Sequence, residues 1–184
     1  MRRIFLAAAL AAGLLTAPAA AARQSGAAER ARELAARMSK KKHEVKEKHG
    51  VRVEKFKEIR SEPAPRSDPR EYAGDYEADG GFRLRLAVTP DGRVEGGGTD
   101  PTFTGDRRPR AFTLRGARVE SALLTGTKVF DDGSAEEFEA VFIDRTDRDS
   151  PTAAGTTSFG LGVLFDPPIA GDGYAISRLF YQKR

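Results

Sequence analysis

Residues 82–97, Phe-Arg-Leu-Arg-Leu-Ala-Val-Thr-Pro-Asp-Gly-Arg-Val-Glu-Gly-Gly, decide the fold class. Phe82, Leu84, Leu86 and Val88 alternate with Arg83, Arg85 and Ala87. This period of two puts apolar side chains on one face of a strand and charged ones on the other. Pro90, Asp91 and Gly92 then supply a fixed φ, a side chain that bonds its own backbone and a residue without Cβ, so the chain turns and returns through 93–97. A hairpin with one wet face is the building unit of an antiparallel sheet.

The same pattern runs on toward the C-terminus. Phe112 and Leu114 alternate, 122–130 forms a further run, and Asp131, Asp132 and Gly133 turn the chain into 137–144, with 156–165 and 174–182 following. Turn signals at this spacing predict about seven or eight strands. No long helical pattern interrupts them, which argues against βαβ units. A meander closing into a small barrel is expected, with a β-sandwich as the alternative. In 138–143, Phe138, Ala140 and Phe142 occupy one face and Val141 and Ile143 the other, which predicts cover on both sides. An N-terminal helix is the element available to provide it.

Where this β domain opens, Glu71-Tyr72-Ala73-Gly74-Asp75-Tyr76-Glu77 is followed by the alternating strand and the Asp-Gly turn. Over residues 71–97 the chain resembles small lipocalin-like β-barrel domains of secreted bacterial proteins. The resemblance implies a barrel with an apolar interior and brings no catalytic residues.

Upstream, Pro63, Pro65 and Pro69 fall within 61–70, a composition that cannot continue a helix and is expected to form an extended linker. It separates two segments of opposite charge: 23–60 carries 13 Lys and Arg against 6 Asp and Glu, whereas 61–184 carries 16 against 21. Within the basic segment Ala27, Ala31, Leu34, Met38 and Val45 recur at helical spacing in a background of Ala, Glu, Lys and Arg, predicting an amphipathic helix that Gly50 ends or kinks. Residues 51–60 fit either period: Val51 and Val53 alternate as in a strand, while Val53, Phe56 and Ile59 fit a helix face. The expected class is α+β, with a basic helical segment over 23–60, the linker over 61–70 and the antiparallel domain over 71–184.

Arg2 and Arg3, the apolar run 4–15 and the small residues Ala20 to Ala22 follow the order of a cleavable bacterial-type export signal over 1–22, cut near Ala22. The run is shorter than the roughly 20 apolar residues of a membrane span. A periplasmic or extracellular location is therefore expected. The chain has no Cys, which excludes an acylated lipoprotein anchor and any disulfide, so packing must supply the stability.

A pI near 9.5 invites a nucleic-acid reading, but the basic excess sits wholly in the signal and in 23–60, so no nucleic-acid partner is expected. Peripheral membrane contact through 27–48 is a competing reading that is not favoured, because the apolar stripe is mostly Ala with no Trp, and no Phe before Phe56.

Motifs for chemistry are sparse. His43 and His49 are the only histidines and, six apart on a helix, would diverge by about 120°. No metal site is expected. The stretch Asp75 to Gly80 begins like a calcium loop, but Leu86 stands where its closing Glu belongs, so an acidic turn is expected. Asp144, Asp147 and Asp149, interleaved with Arg145 and Arg148, predict a charged loop, as do Arg107, Arg108, Pro109 and Arg110. Ser39-Lys40-Lys41-Lys42 matches S-x-x-K without the companion motifs, and Thr157-Ser158-Phe159-Gly160 lacks the leading glycine of a nucleophile elbow. Gly160-Leu161-Gly162 has Phe165 where a dinucleotide fingerprint needs a small residue. Gly96 to Gly98 and Gly171 to Gly173 read as turns.

No catalytic residue, metal ligand or cofactor is assigned, and no ligand-binding residue can be named. These features point to an exported, non-catalytic binding protein whose lipocalin-like domain takes a small apolar ligand. The alternative is a protein-interaction module of the cell envelope. A hydrolase using paired carboxylates ranks below both, since no Trp and four Tyr leave little surface for stacking a sugar.

Overall fold

The structure is a computed structural model and describes residues 17–48, 51–103, 109–171 and 174–184. Most of the expected export signal, residues 1–16, lies outside the described residues. A helix α1 (Ala17–Met38) precedes strands β1 (Lys40–Lys48), β2 (Val51–Pro63), β3 (Gly74–Ala78), β4 (Phe82–Val88), β5 (Arg93–Phe103), β6 (Pro109–Glu120), β7 (Leu123–Phe130), β8 (Ala135–Arg148), β9 (Thr156–Gly171) and β10 (Tyr174–Lys183).

From β3 to β10 every strand pairs antiparallel with the next, and β10 returns to β3 through Gln182 opposite Glu77 and Lys183 opposite Tyr76. The result is a closed eight-stranded up-and-down barrel, the expected meander rather than the sandwich. Its signature is clearest in β4, where Phe82, Leu84, Leu86 and Val88 are buried inside and Arg83, Arg85 and Ala87 are exposed. The α+β class is corrected to mainly β, because only 17–38 of the described residues is α-helical.

That helix lies on the outside of the barrel. Its buried Ala31, Leu34, Ala35 and Met38 meet the outward-facing Leu123, Val141 and Ile143, with Leu164 and Phe180 at the margin. The two-faced run in β8 is thus covered on both sides, Phe138, Ala140 and Phe142 facing the barrel core. Full burial of side chains such as Leu34 and Val141 stabilises the contact by roughly 1.5–3 kcal/mol each. Gly162 makes the close approach workable: a Cβ there would stand 3.1 Å from Met38 Cγ and Cε. Arg30 fixes the register from the side, its Nε 3.0 Å from Glu139 Oε1 and its Nη2 2.6 Å from Oε2.

The helix predicted to run on past residue 38 is overturned. It ends where the Ser39 hydroxyl donates to Ala35 O (3.2 Å) and accepts the Ser61 N–H (2.9 Å). Residues 40–48 and 51–63 form a hairpin instead. The cause is tertiary. β8 overruns β7 beyond Val141, and its residues 143–148 present an open edge that β2 fills, from Pro63 opposite Ile143 to Glu58 opposite Arg148. Helix propensities of Lys and Glu differ from those of other residues by under about 1 kcal/mol each. A ladder of bonds at roughly 0.5–1.5 kcal/mol apiece outweighs them. The ambiguous 51–60 resolves as strand, which suits Val51, Val53 and Ile59.

The proline-rich stretch is strapped along the barrel. Ser61 to Pro63 belong to β2, Ala64 N–H donates to Phe142 O (2.9 Å), and the Tyr72 hydroxyl donates to Ala64 O (3.0 Å) while accepting the Arg66 N–H (2.7 Å). A short 3-10 helix, Pro69–Tyr72, is capped by Asp68, whose carboxylate the Arg70 side chain and N–H hold below its ordinary pKa.

Three loop and turn expectations also change. Asp144 to Arg148 are strand, because β2 and β9 pair with them on both sides. Gly96 to Gly98 lie inside β5, squeezed between β4 and β6: a Cβ on Gly96 or Gly98 would come within 2.2 Å of the carbonyl oxygen of Arg85 or Arg83. The register shifts between Val94 and Gly97, so these glycines let the barrel wall coil. The acidic turn expected over 75–80 is shorter, since Asp75 to Ala78 are paired in β3.

Candidate functional site

The barrel interior is occupied by side chains. The Tyr72 and Phe142 rings stack at 4.2 Å, Phe159 lies 6.1 Å from Phe142, and the Tyr76 hydroxyl donates to Tyr72 O (2.6 Å). Phe112 sits 6.2 Å from Phe130 and 6.4 Å from Phe138. Leu84, Leu86, Leu124, Leu161 and Val163 are buried among these rings. Within this core Lys128 and Asp100 form an ion pair whose side chains are 8% and 3% exposed. Lys128 Nζ lies 4.9 and 4.7 Å from the ring centroids of Phe112 and Phe138, and 5.7 Å from that of Phe165. Tyr181 donates its hydroxyl to Thr99 O (2.9 Å). Burial pushes the hydroxyl pKa values of Tyr72, Tyr76 and Tyr181 upward.

Outside, a groove of about 890 Å³ runs between the root of the β1–β2 hairpin and the β3–β4 turn, across the outer faces of β8, β9 and β10. Ile59, Ile176 and Phe180 give it apolar surface; Lys40, Arg178 and Arg184 line it together with Glu77, Asp79 and Asp147, with Arg184 bonded to Glu77 at 2.8 Å. Phe180 is half-buried under the Arg145 guanidinium, 4.9 Å from its ring centroid. Arg178 Nη1 donates to the carbonyls of Arg37 and Ser39 at 3.2 Å, joining the wall of the groove to the end of α1. Such mixed lining suits a peptide or protein surface, with apolar contact for affinity and charges for register.

The hairpin has two unlike faces, because residues opposite one another in an antiparallel pair share a face. On one, Lys40 opposes Ile59, Lys42 opposes Lys57 and Glu44 opposes Lys55. On the other, Lys41 opposes Glu58, His43 opposes Phe56, Val45 opposes Glu54 and Glu47 opposes Arg52.

The residues singled out in the sequence are mostly engaged by neighbours. His43 contacts the Glu54 carboxylate and lies edge-on to Phe56 at 6.0 Å; His49 lies outside the described residues. Among the described residues no group of three or more His, Asp or Glu is placed to hold a metal ion. Arg66 reaches Asp144 at 3.3 Å and Arg145 grips both oxygens of Asp147 at 2.8 Å. Arg110 bonds Asp132 at 3.0 Å and covers the Phe130 ring at 3.6 Å. Arg107, Arg108, Asp172 and Gly173 lie outside the described residues. Gly160 sits beneath the Phe180 ring as Gly162 sits beneath Met38, which accounts for both without a nucleotide.

The Lys128–Asp100 pair escaped the sequence reading, although Lys128 shares the strand parity of Leu124 and Phe130, both buried. Asp100 carried no such signal, because the register shifts in β5 break the parity on each side of it. No protein-family model, curated protein or solved structure matches the chain.

Proposed function

We propose that the chain is an exported, non-catalytic interaction module of the cell envelope that works through the outside of its barrel. The observation that carries this reading is the filled interior, in which the Tyr72–Phe142 stack and the Lys128–Asp100 pair stand where a lipocalin-like ligand would sit. A small-molecule site wants about 300 Å³ or more of concave space. The outer groove offers such space, with charges of both signs over apolar surface.

Export is supported by Arg2, Arg3, the apolar run 4–15 and the small residues to Ala22. The docking face of α1 starts at Ala27, downstream of the expected cut, so processing near Ala22 leaves it whole.

Native mass spectrometry of the protein purified from the periplasm or medium of its own cells tests the reading. A stoichiometric protein complex that Phe180→Asp dissolves is the expected result. A retained small apolar molecule would restore the ligand reading for the barrel, and a bare chain insensitive to Phe180→Asp would remove the groove from consideration.

A further inference from the structure

We propose that the lysine face of the β1–β2 hairpin seats the protein on an anionic phospholipid surface. This face meets the groove at Lys40 and Ile59, while Lys42, Lys55 and Lys57 lie beyond the groove lining, and it does not depend on the groove having a partner.

The basic excess of the N-terminal segment is not spread evenly in three dimensions. In α1, Arg30 is held by Glu139 and Arg37 reaches Asp166 of the barrel. In the hairpin, Lys40, Lys42, Lys55 and Lys57 are exposed on one face, and among the described residues Lys40, Lys55 and Lys57 pair with no carboxylate. Glu44 is the single acidic residue in that row, bridged to Lys42 at 2.7 Å. The opposite row carries Glu47, Glu54 and Glu58.

A ribbon cationic on one side and carboxylate-bearing on the other binds a planar anion field in one orientation. From Lys40 to Lys55, which stands opposite Glu44, the row spans about 13 Å along the strands at about 3.3 Å per residue, longer than the Debye length of about 10 Å at 0.1 M salt. Its charges therefore act on a surface rather than on a point anion. Lysine ammoniums suit mobile headgroups, whereas nucleic-acid recognition draws on arginine forks and aromatic stacking. Here Arg52 and Phe56 lie on the other face. The row also lacks the aromatic anchors that centre protein interfaces. Charge complementarity with anionic headgroups is the match that remains.

The test is sedimentation of the full chain with vesicles of phosphatidylcholine, with and without phosphatidylglycerol, at low and high salt. Neutral vesicles measure whatever the apolar run 4–15 contributes, so the readout is the gain on adding anionic lipid. Each lysine near such a surface is worth about fivefold in binding. Lys42→Glu with Lys57→Glu is expected to lower the gain at least about 25-fold, high salt to abolish it, and Lys41→Glu on the opposite face to preserve most of it. Thermal melting of each variant separates lost binding from lost folding. An equal loss in Lys41→Glu, no gain on anionic lipid, or tighter binding to duplex DNA through the same lysines would each overturn the proposal.

Discussion

Lys128 extends from β7 into the barrel core to meet Asp100 of β5, beneath the rings of Phe112 and Phe138. An ion pair this deep stabilises only while both members are present, because removing one strands the other charge in a low-dielectric site. Asp100→Ala, which leaves the Lys128 ammonium among aromatic rings, is therefore expected to lower unfolding free energy by about 3–5 kcal/mol. Removing the exposed Arg85–Asp75 pair, bonded at 2.6 Å with side chains 79% and 59% exposed, should leave the denaturation midpoint almost unmoved although the guanidinium reaches both carboxylate oxygens. Urea titrations of the two variants compare a buried pair with an exposed one directly; similar midpoints would mean the interior pair is solvated.

The tyrosines set an alkaline limit. Burial raises the folded pKa values of Tyr72, Tyr76 and Tyr181 above the unfolded value of about 10. Below that pH both states keep the proton and stability is flat. Above it the unfolded chain releases protons that the folded chain retains, so stability falls as pH rises. The tyrosinate absorbance of these three, out of four tyrosines, should grow only as circular dichroism reports loss of the barrel. Ionisation completed in the folded state would contradict the packed interior. On the acid side the effect is small: Asp75, Asp91 and Asp132 are held below their ordinary pKa by Arg85, Thr89 and Ser134 respectively, yet all three are exposed.

Met38 and Gly162 should behave as a coupled pair. Gly162→Leu forces a branched side chain into the 3.1 Å approach of Met38, and overpacking of this kind costs about 1–3 kcal/mol. Met38→Ala alone creates a cavity. In the double variant the new side chain occupies the space the methionine left, so the two losses should sum to more than the double loss. Additive losses in chemical denaturation would show that α1 does not press on β9 there.

What the sequence made legible was the barrel, because strands 82–88 and 123–130 are bounded by Asp-Gly turns whose chemistry is local. Cover for 138–143 was legible for the same reason: a strand apolar on both faces must be covered twice. The hairpin was not. Lys40 to Lys48 has the composition of a helix, and what makes it a strand is β2 lying against residues 143–148 of β8, more than 80 positions away. The lysine face follows from that pairing, since on a helix Lys40, Lys42, Lys55 and Lys57 would not share a side. The glycines of β5 mislead likewise, as a Gly-rich run reads as a turn unless the neighbouring carbonyls are known.

The position of α1 makes export processing testable as a folding question. The helix begins at Ala17, so a cut near Ala22 shortens it, but Ala31, Leu34, Ala35 and Met38 remain against Leu123, Val141 and Ile143. Chain starting at Arg23 should therefore melt where the full chain does. A chain starting at Ser39 would bare Val141 and Ile143, now wholly buried, at roughly 1.5–3 kcal/mol for each side chain. Its midpoint should fall sharply and its apolar wall should bind a hydrophobic dye. N-terminal sequencing of the exported protein is expected to begin near Arg23, and Ala20→Arg with Ala22→Arg to block the cut. An exported chain that keeps Met1, or one that loses stability on starting at Arg23, would sever the link between the signal and the helix that follows it.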